Sequence, residues 1–551
     1  LASNFHLEIS KKRTHFFWSP DLIFMNNYLL SSLIFLPLVV GLILLFLPEV
    51  YKNTFKWIVL IVSMINLLTV FTLYLNFDNS LSTYQFVEDI PWISLELSQN
   101  HRILIRYVLG IDGISLPMIL LAAAVLVIGA ISSFSIQHKE RMYLSLYLFL
   151  SSAIMGCFVA LDFFLFFLFF EFMLLPMYFL IAIWGGENRS YASIKFFIYT
   201  LVGSIFILVA VIILGMSVQD TTYIVPDQLS ATVHSFDFRI LANVKSILPD
   251  SLLAFTNHTE IVGLTGRHFV FLLLLIGFGI KLPMVPLHTW LPDAHVEAPT
   301  PVSVVLAGIL LKVGGYGLLR TGYIFLPDAA KDFSTVVAAF GVLSILYGAL
   351  NALAQTDLKK LVAYSSVSHM GFVFLGFAAG NTEGISGAIY QMFSHGILSS
   401  MLFLVAGVLY DRTHDRQIAN YSGLATHMPV YTFLTAIAFF GSLGLPLFSG
   451  FIGEFFTLFG AFNSSYISFI WPVAASLGIV LGAAYLLWTL QRMFMGEWAV
   501  HTSLPQELQD VQFREKVMLI SLAIAAVTFG IFPSILFNSI ESTVNHIVNF
   551  F

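Results

Sequence analysis

Runs of about twenty apolar residues recur along the whole of this 551-residue chain. An α-helix of that length crosses the roughly 30 Å hydrocarbon core of a bilayer. The runs lack the ten-residue alternation of apolar and polar residues that is typical of an outer-membrane barrel. The pattern therefore predicts an all-α polytopic membrane protein with about fourteen spans. The predicted spans are residues 29–47, 56–76, 113–135, 142–160, 162–184, 192–216, 268–287, 301–322, 334–353, 360–380, 384–410, 430–460, 471–495 and 515–536.

Composition restricts the function classes further. The chain is 58% hydrophobic and only 10% charged, which leaves too little polar surface for a soluble globule. A single cysteine, Cys157, excludes an internal disulfide, a thiolate zinc site and a cysteine-ligated iron–sulfur cluster. The net charge of −6 includes no basic stripe, so nucleic acid is not an expected partner.

The basic residues predict the orientation of the chain. Of the 25 Lys and Arg residues, thirteen lie in one set of alternate loops, seven in the opposite set and three in the residues before the first span. Because short cytoplasmic loops are rich in Lys and Arg, the first set marks the cytoplasmic side, here named the basic side. Both termini are then expected on the outer side. This count leaves two lysines for the membrane interior, Lys281 and Lys312.

Those two lysines lie in one unusual stretch, IKLPMVPLHTWLPDAHVEAPTPVSVVLAGILLKVGGYGLLR at residues 280–320. Lys281 ends an apolar run that three prolines interrupt, and Lys312 lies in the middle of the next run. In lipid, a broken helix is tolerated only where its freed backbone groups face protein or a water-filled cavity. Charge at membrane depth is costly and usually functional. The stretch therefore predicts a buried ion pathway.

Two acids are expected at a similar depth. Glu171 follows Asp162 by nine residues, so it lies roughly 14 Å into its span. Glu454 follows a Gly/Pro interruption of the twelfth span. A lysine and a glutamate stabilise each other's charged forms, whereas burial favours their neutral forms, so a charge that moves nearby can switch either group. A proton relay needs this property, and the alternative is a static ion pair that fixes helix packing.

Four histidines extend this hypothesis. His369 and His395 lie within apolar spans beside Ser and Tyr, and imidazole passes protons near neutral pH. Each is either a relay group or a neutral histidine that a carbonyl satisfies. His288 and His295, after Lys281, either line an entrance or cap the broken helix. No metal site is predicted in HTWLPDAHVE, because the proline within it and the proline just before it prevent the regular i, i+4 spacing of a helical metal motif.

The seventh and twelfth spans are both interrupted, both carry an ionisable residue and are predicted to run in opposite directions. This pattern indicates two inverted five-helix repeats, spans 4–8 and 9–13, with discontinuous helices 7 and 12. Met25 is the expected start of the natural chain, and residues 77–112 are expected to form a surface loop or hairpin. The predicted division is an N-terminal extension at 1–28, helices 1–3 at 29–141, a first repeat at 142–322, a second repeat at 323–495, and helix 14 with a tail at 496–551.

Four motifs carry a resemblance over about residues 29–536: GFGIKLPMVPLHTWLPDAHVEAPTPVSVVLAGILLKVGGYGLLR, FEFMLLPMYFLIAIWGG, KKLVAYSSVSHMGFV and SLGLPLFSGFIGEF. They resemble the antiporter-like membrane subunits of NADH:quinone oxidoreductase, respiratory complex I. Within that family the chain is most similar to the subunit M branch, the counterpart of mitochondrial chain 4. In that branch glutamate replaces the lysine of the broken twelfth helix, and this chain has Glu454 there. The N-terminal extension has no place in the family pattern.

The resemblance implies a proton path along the middle of the membrane, driven by quinone reduction elsewhere in the complex. It implies no redox centre in this chain, with flavin, iron–sulfur clusters and quinone in partner subunits. It also implies homologous antiporter-like neighbours on either side, surrounding lipid, and a bacterial cytoplasmic membrane. By position, the implied roles are a Glu171–Lys281 pair, Lys312 as the central relay, His369 and His395 as bridging groups, and Glu454 as the terminal group.

Other functions stay open at this point. Subunits of multisubunit Na⁺/H⁺ antiporters and of membrane-bound hydrogenases share the expected fold. A passive membrane scaffold, with its charges in structural ion pairs, is an alternative of another class. A quinone-binding subunit is disfavoured, because the sequence shows no amphipathic pocket signature.

Overall fold

The computed structural model describes residues 28–98, 100–222, 232–257, 259–500 and 508–551. The expected start at Met25 and the rest of the predicted extension up to residue 27 lie outside these described residues. Within them, eleven continuous helices are long and apolar enough to cross a membrane. They are α1 Leu29–Phe46, α2 Lys52–Asn76, α3 Ser115–Ser135, α4 Glu140–Val159, α5 Phe163–Trp184, α6 Arg189–Met216, α8 Thr300–Tyr323, α9 Ser334–Leu353, α10 Leu358–Ala379, α11 Thr382–Thr413 and α13 Ile470–Phe494.

Three segments that overlap the predicted spans 268–287, 430–460 and 515–536 consist of paired shorter helices, and in the first and third pairs the second helix extends beyond the predicted span. The pairs are α7a Gly266–Lys281 with α7b Trp290–Glu297, α12a Pro429–Ser442 with α12b Ser449–Phe462, and α14 Phe513–Ile531 with α15 Ser534–Val548. α14 and α15 meet at a bend of 64°. The predicted class, a polytopic helical membrane protein, is confirmed. The count of fourteen spans and the inverted repeats stay predictions.

A small sheet covers one side of the helices. Strands β1 Gln85–Ser98 and β2 His101–Ile111 form an antiparallel hairpin in the segment for which the sequence predicts a surface loop or hairpin. β3 Thr232–Ser235 pairs in parallel with β2 and ties the second long loop to this hairpin. Connecting loops also contain short helices and strand pairs: Phe238–Leu241, Pro327–Asp332, Leu424–His427, Glu260–Ile261 with Leu264–Thr265, and Tyr421–Ser422 with Ala499–Val500.

Burial separates central helices from peripheral ones. The apolar windows of α8 and α11 are 100% buried and that of α10 is 94% buried, whereas those of α1 and α2 are 33% buried. A helix that is apolar on all sides and half exposed matches lipid as its solvent. Within these windows, side chains of α8, α10 and α11 therefore lie away from lipid, and ionisable groups there meet other protein groups or enclosed water.

α8 departs from regular α-helical geometry at two places. Residues Leu306–Leu310 and Leu318–Tyr323 form π-helical turns on either side of Leu311–Gly317. π-Helical turns are rare and occur frequently at functional sites. Lys312 is the second residue after the first of them. The helix at the centre of the protein is therefore irregular where it carries its charge.

The break in the seventh span is supported by protein contacts. Between α7a and α7b, residues 282–289 are not helical. The indole of Trp290 donates to the carbonyl of Ile280 at 2.9 Å, and the hydroxyl of Ser344 on α9 accepts from the amide of Val285 at 3.0 Å. Backbone groups freed by the break thus find partners inside the protein, as they must at membrane depth.

We predict that Gly341→Ala on α9 lowers the thermal stability of the protein. A Cβ at this position would lie 2.9 Å from the carbonyl oxygen of Gly371 and 3.0 Å from the amide of Leu375 on α10. Overpacking of this kind costs about 1–3 kcal/mol. The matched control is Gly482→Ala on α13, where the nearest atom is 4.0 Å away. Both changes gain the same helix propensity, so equal melting temperatures in detergent would refute the predicted clash.

Candidate functional site

Lys312 lies at the centre of the candidate site. Its side chain is 0% exposed on α8. The ammonium nitrogen lies 2.7 Å from Nδ1 of His395 on α11, and it also donates to the carbonyl of Ala307 in the preceding π-helical turn. When Lys312 is charged, its ammonium group can only donate, so Nδ1 of His395 accepts and the imidazole proton lies on Nε2. The first contact thus places two titratable groups within hydrogen-bond distance of each other.

His369 and Glu454 continue the line of polar groups. The rings of His395 and His369 are 5.7 Å apart between centroids, and Nδ1 of His369 lies 2.9 Å from Oε1 of Glu454. A cavity with room for the centre of a water molecule, about 10 Å³, lies among His369, His395, Glu454, Ser365 and other polar side chains. That volume holds about one water, which has the polar partners it needs here. The structure therefore brings Lys312, His395, His369 and Glu454 into one buried cluster.

The helix break of the twelfth span makes room for the carboxylate. Gly444 lies in the break with a φ of +78°, a conformation that side-chain-bearing residues rarely adopt. A Cβ at Gly444 would lie 2.9 Å from Oε2 of Glu454. Two constraints therefore require glycine at this position: the positive φ of the backbone and the carboxylate of Glu454 that packs against it.

Lys281 and Glu171 lie near each other without direct contact. The ammonium of Lys281 lies 3.8 Å from the centroid of the Phe170 ring, and among the described residues it has no hydrogen-bond partner and no carboxylate within 4.0 Å. Oε1 of Glu171 likewise lacks a partner within the described chain. The two groups remain within electrostatic range of each other. The structure does not join them, and their pairing stays a prediction.

His288 and His295 differ in their surroundings. His288 is buried in the break after α7a, edge-on to Tyr347 at 5.1 Å. His295, in α7b, is 0% exposed and stacks on Phe403 of α11 at 4.4 Å. Neither ring nitrogen of His295 has a hydrogen-bond partner among the described residues. His295 therefore does not cap the broken helix through its ring.

Sequence reasoning missed a buried ion pair at the other end of α8. It counted Arg320 with the loops, but the side chain is 1% exposed. Its guanidinium forms two bonds with Asp112, of 2.6 and 2.7 Å, and a third with Ser115 at 3.0 Å. Burial alone raises the pKa of Asp112, but the Arg320 charge and the hydrogen bonds outweigh it and hold that pKa below its usual range.

Lys359, which the sequence places in a loop on the basic side, is likewise buried, in the first turn of α10. Position along the chain places both residues near span ends, and it carries no information about packing depth there. Asp112, immediately before the third span, was the available signal for the partner of Arg320.

Comparisons with known proteins show the family of the chain. Residues 160–482 match the family described as NADH:quinone oxidoreductase/Mrp antiporter, transmembrane. The chain belongs to this family. The matched residues include α5 to α12b and thus every ionisable group of the candidate site.

Curated members of the NADH:quinone oxidoreductase/Mrp antiporter family are similar over nearly the full chain. NADH-quinone oxidoreductase subunit M of Rickettsia bellii is 39% identical over 530 residues, which cover 95% of this chain and 99% of that protein. Subunit M of Rhodobacter capsulatus is 40% identical over 526 residues, 94% of this chain and 96% of that protein.

Solved structures show the same family fold. A chain of respiratory complex I from Thermus thermophilus is 28% identical, with a TM-score of 0.78 over 96% of this chain and 99% of that chain. A chain of the Mrp complex from Dietzia is 17% identical, with a TM-score of 0.77 over 95% of this chain and 98% of that chain. At that identity the second likeness concerns the fold alone.

We predict that Asp112→Asn destabilises the protein by about 3–5 kcal/mol, because it leaves the Arg320 charge buried without its counterion. The check is the melting temperature in detergent and the amount of folded protein in the membrane. Glu96→Gln is the control, since it breaks the Glu96–Arg102 pair on the hairpin, where the Glu96 side chain is 63% exposed. Such a surface pair contributes about 0–1 kcal/mol. Equal stability of the two variants would contradict the role assigned to Asp112.

Proposed function

We propose that the chain is a proton-translocating subunit of the membrane arm of a respiratory NADH:quinone oxidoreductase, of the subunit M type. The observation that carries the proposal is the buried line of contacts from Lys312 through His395 and His369 to Glu454. Each member is a group that gains and loses protons, and consecutive members lie within direct or one-water reach.

Proton transfer along this line follows from the donor and acceptor roles. An N–H bond of the Lys312 ammonium breaks as its proton moves to Nδ1 of His395. The imidazolium so formed releases its Nε2 proton towards the cavity, and one water carries a proton on to His369. Glu454, hydrogen-bonded to His369, receives the proton at the end of the line. Low dielectric surroundings keep each charge sensitive to the charge of its neighbour.

Lys281 and Glu171 control the relay that runs from Lys312 to Glu454. They feel each other's charge but are not locked in a salt bridge. Loss or gain of a proton by either one changes the electric field inside the bundle, and through it the tendency of Lys312 to hold its proton. A static ion pair would not leave these polar atoms without partners.

The redox chemistry belongs to partner subunits. This chain carries no cofactor in the proposal, and flavin, iron–sulfur clusters and quinone lie elsewhere in the complex. Homologous antiporter-like subunits lie on either side, and lipid covers the remaining apolar faces. α1, α2 and α13 support this arrangement, because they expose large apolar side chains such as Phe46, Trp57 and Val480.

The chain resides in the cytoplasmic membrane of a bacterium as a multi-pass protein. Thirteen basic residues support a cytoplasmic location for the basic side, with the hairpin and both termini on the outer side. His288 and His295 then lie on the cytoplasmic half of the membrane, after α7a, where an entrance for protons is expected.

Rival functions are distinguishable. A multisubunit Na⁺/H⁺ antiporter or a membrane-bound hydrogenase would use the same fold without NADH-linked partners. A passive scaffold would satisfy its buried charges statically, as Arg320 and Asp112 do. The names of the curated relatives and the unpaired Lys281 favour the respiratory proposal over both.

We predict that Lys281→Ala and Glu171→Ala each lower quinone-coupled proton pumping by about tenfold, because the relay loses a switching charge, while the complex still assembles. The measurement is the initial rate of proton uptake by vesicles during NADH oxidation, with subunit content determined in parallel. Exposed Lys245→Ala and Glu260→Ala serve as matched controls. Normal pumping by an assembled Lys281→Ala or Glu171→Ala complex would favour the scaffold.

We predict that partners containing flavin and iron–sulfur centres copurify with this chain. A tag on the C-terminus, followed by mild detergent extraction, absorption spectra and metal analysis of the purified complex, provides the test. Recovery of membrane antiporter subunits alone would refute the respiratory assignment and support the Na⁺/H⁺ antiporter.

A further inference from the structure

A polar cavity of about 890 Å³ lies on the basic side of the protein. Its walls come from the loop that joins α5 to α6, the link between α7b and α8, the start of α10 and the end of α11. Charged side chains that line it include Glu297, Asp357, Lys359, Asp411 and Arg416. Lys359 differs from the others, because it alone among the charged lining residues is buried, at 6% exposure.

The ammonium group of Lys359 binds the C-terminal end of α7b. It donates to the carbonyls of Ala298 and, at 3.4 Å, of Val296. The last carbonyls of a helix lack partners within the helix, and a cation near them is favourable. Arg416, which also pairs with Asp357, donates to the Val296 carbonyl at 2.7 Å. Lys359 thus lies in the wall of the cavity and binds the end of the helix that carries His295.

His295 is the next polar group inward. It directly precedes Val296, is fully buried, and has no hydrogen-bond partner at either ring nitrogen among the described residues. It lies within electrostatic range of both Lys359 and Lys312. A buried polar group without a partner destabilises the folded protein, so a histidine kept in this state indicates a role other than packing.

We propose that Lys359 is the gate through which protons pass from this cavity to His295 and on to Lys312. The inference rests on the proposed relay and adds its connection to the cytoplasmic side. In the first step the neutral amine of Lys359 takes a proton from cavity water. Neither lysine contacts a ring nitrogen of His295 directly, so enclosed water carries a proton from the ammonium to one ring nitrogen, and from the other ring nitrogen of the imidazolium to a neutral Lys312. Charge and protons balance, since each step transfers one proton from donor to acceptor.

A purely structural role for Lys359 predicts a different pattern of substitutions. If the side chain only caps α7b, arginine serves as well, because it is a cation with several N–H donors. Arginine cannot release its proton in a protein, so it fails as a gate. Lys359→Gln also keeps a donor for the carbonyls and cannot carry a proton. The matched control is Lys360→Met, which replaces the adjacent, partly exposed lysine.

The experiment uses the whole respiratory complex in vesicles and measures protons moved per NADH oxidised, together with subunit content. We expect Lys359→Arg and Lys359→Gln to assemble and to lower this ratio as far as Lys312→Met does, while Lys360→Met equals the wild type. Wild-type pumping by Lys359→Arg beside deficient Lys312→Met would overturn the gate and leave the relay intact. Wild-type pumping by both Lys359→Arg and Lys312→Met would overturn the gate and the relay together. Failure of both Lys359 variants to assemble would assign the residue to the helix cap and overturn the gate.

Discussion

The cost of burying charge in a low-dielectric interior governs the centre of this protein. Two cations on α8, Lys312 and Arg320, are almost completely inaccessible to solvent, and the structure stabilises them in different ways. The guanidinium of Arg320 forms a bidentate ion pair with the carboxylate of Asp112 and cannot lose its proton. This pair is therefore a permanent contact between α8 and the residues just before α3. Lys312 contacts an imidazole and a carbonyl rather than a carboxylate, and an ammonium group, unlike a guanidinium group, can lose its proton in a protein. The same physical cost is thus met by a paired, permanent charge at one end of α8 and by a titratable group at its middle.

Irregular helix geometry supplies polar groups at the depth where the charges lie. The breaks after Lys281 and before Glu454 and the π-helical turn before Lys312 each interrupt a regular hydrogen-bond ladder. At membrane depth such interruptions persist only where protein groups satisfy the backbone, as Trp290 and Ser344 do in the seventh span. Lys281, Lys312 and Glu454 therefore each lie beside a backbone irregularity, whereas His369 and His395 lie within regular helices.

Much of the fold was predictable from sequence, because span length and apolar content report directly on the bilayer. The interruptions were also predictable, since Gly and Pro at mid-span disfavour a continuous helix. Lys359 and Arg320 were not, because both lie near span ends and were counted with loops, and only packing shows that each is buried. The contact expected between Glu171 and Lys281 shows the reverse error, because the structure does not form it. Similar depth in two spans places two groups near each other without fixing whether their side chains touch.

The sequence by itself determined the membrane class and the positions of most helices, because both follow from local composition along one helix. Only the tertiary structure decided which ionisable residues are buried and which of them meet. The contact of His395 with Lys312 joins residues 83 apart in sequence, and that of His369 with Glu454 joins residues 85 apart. Such contacts depend on how α8, α10, α11 and α12b rotate and pack against one another. Helix rotation is set by the summed packing of many side chains, which no single motif encodes.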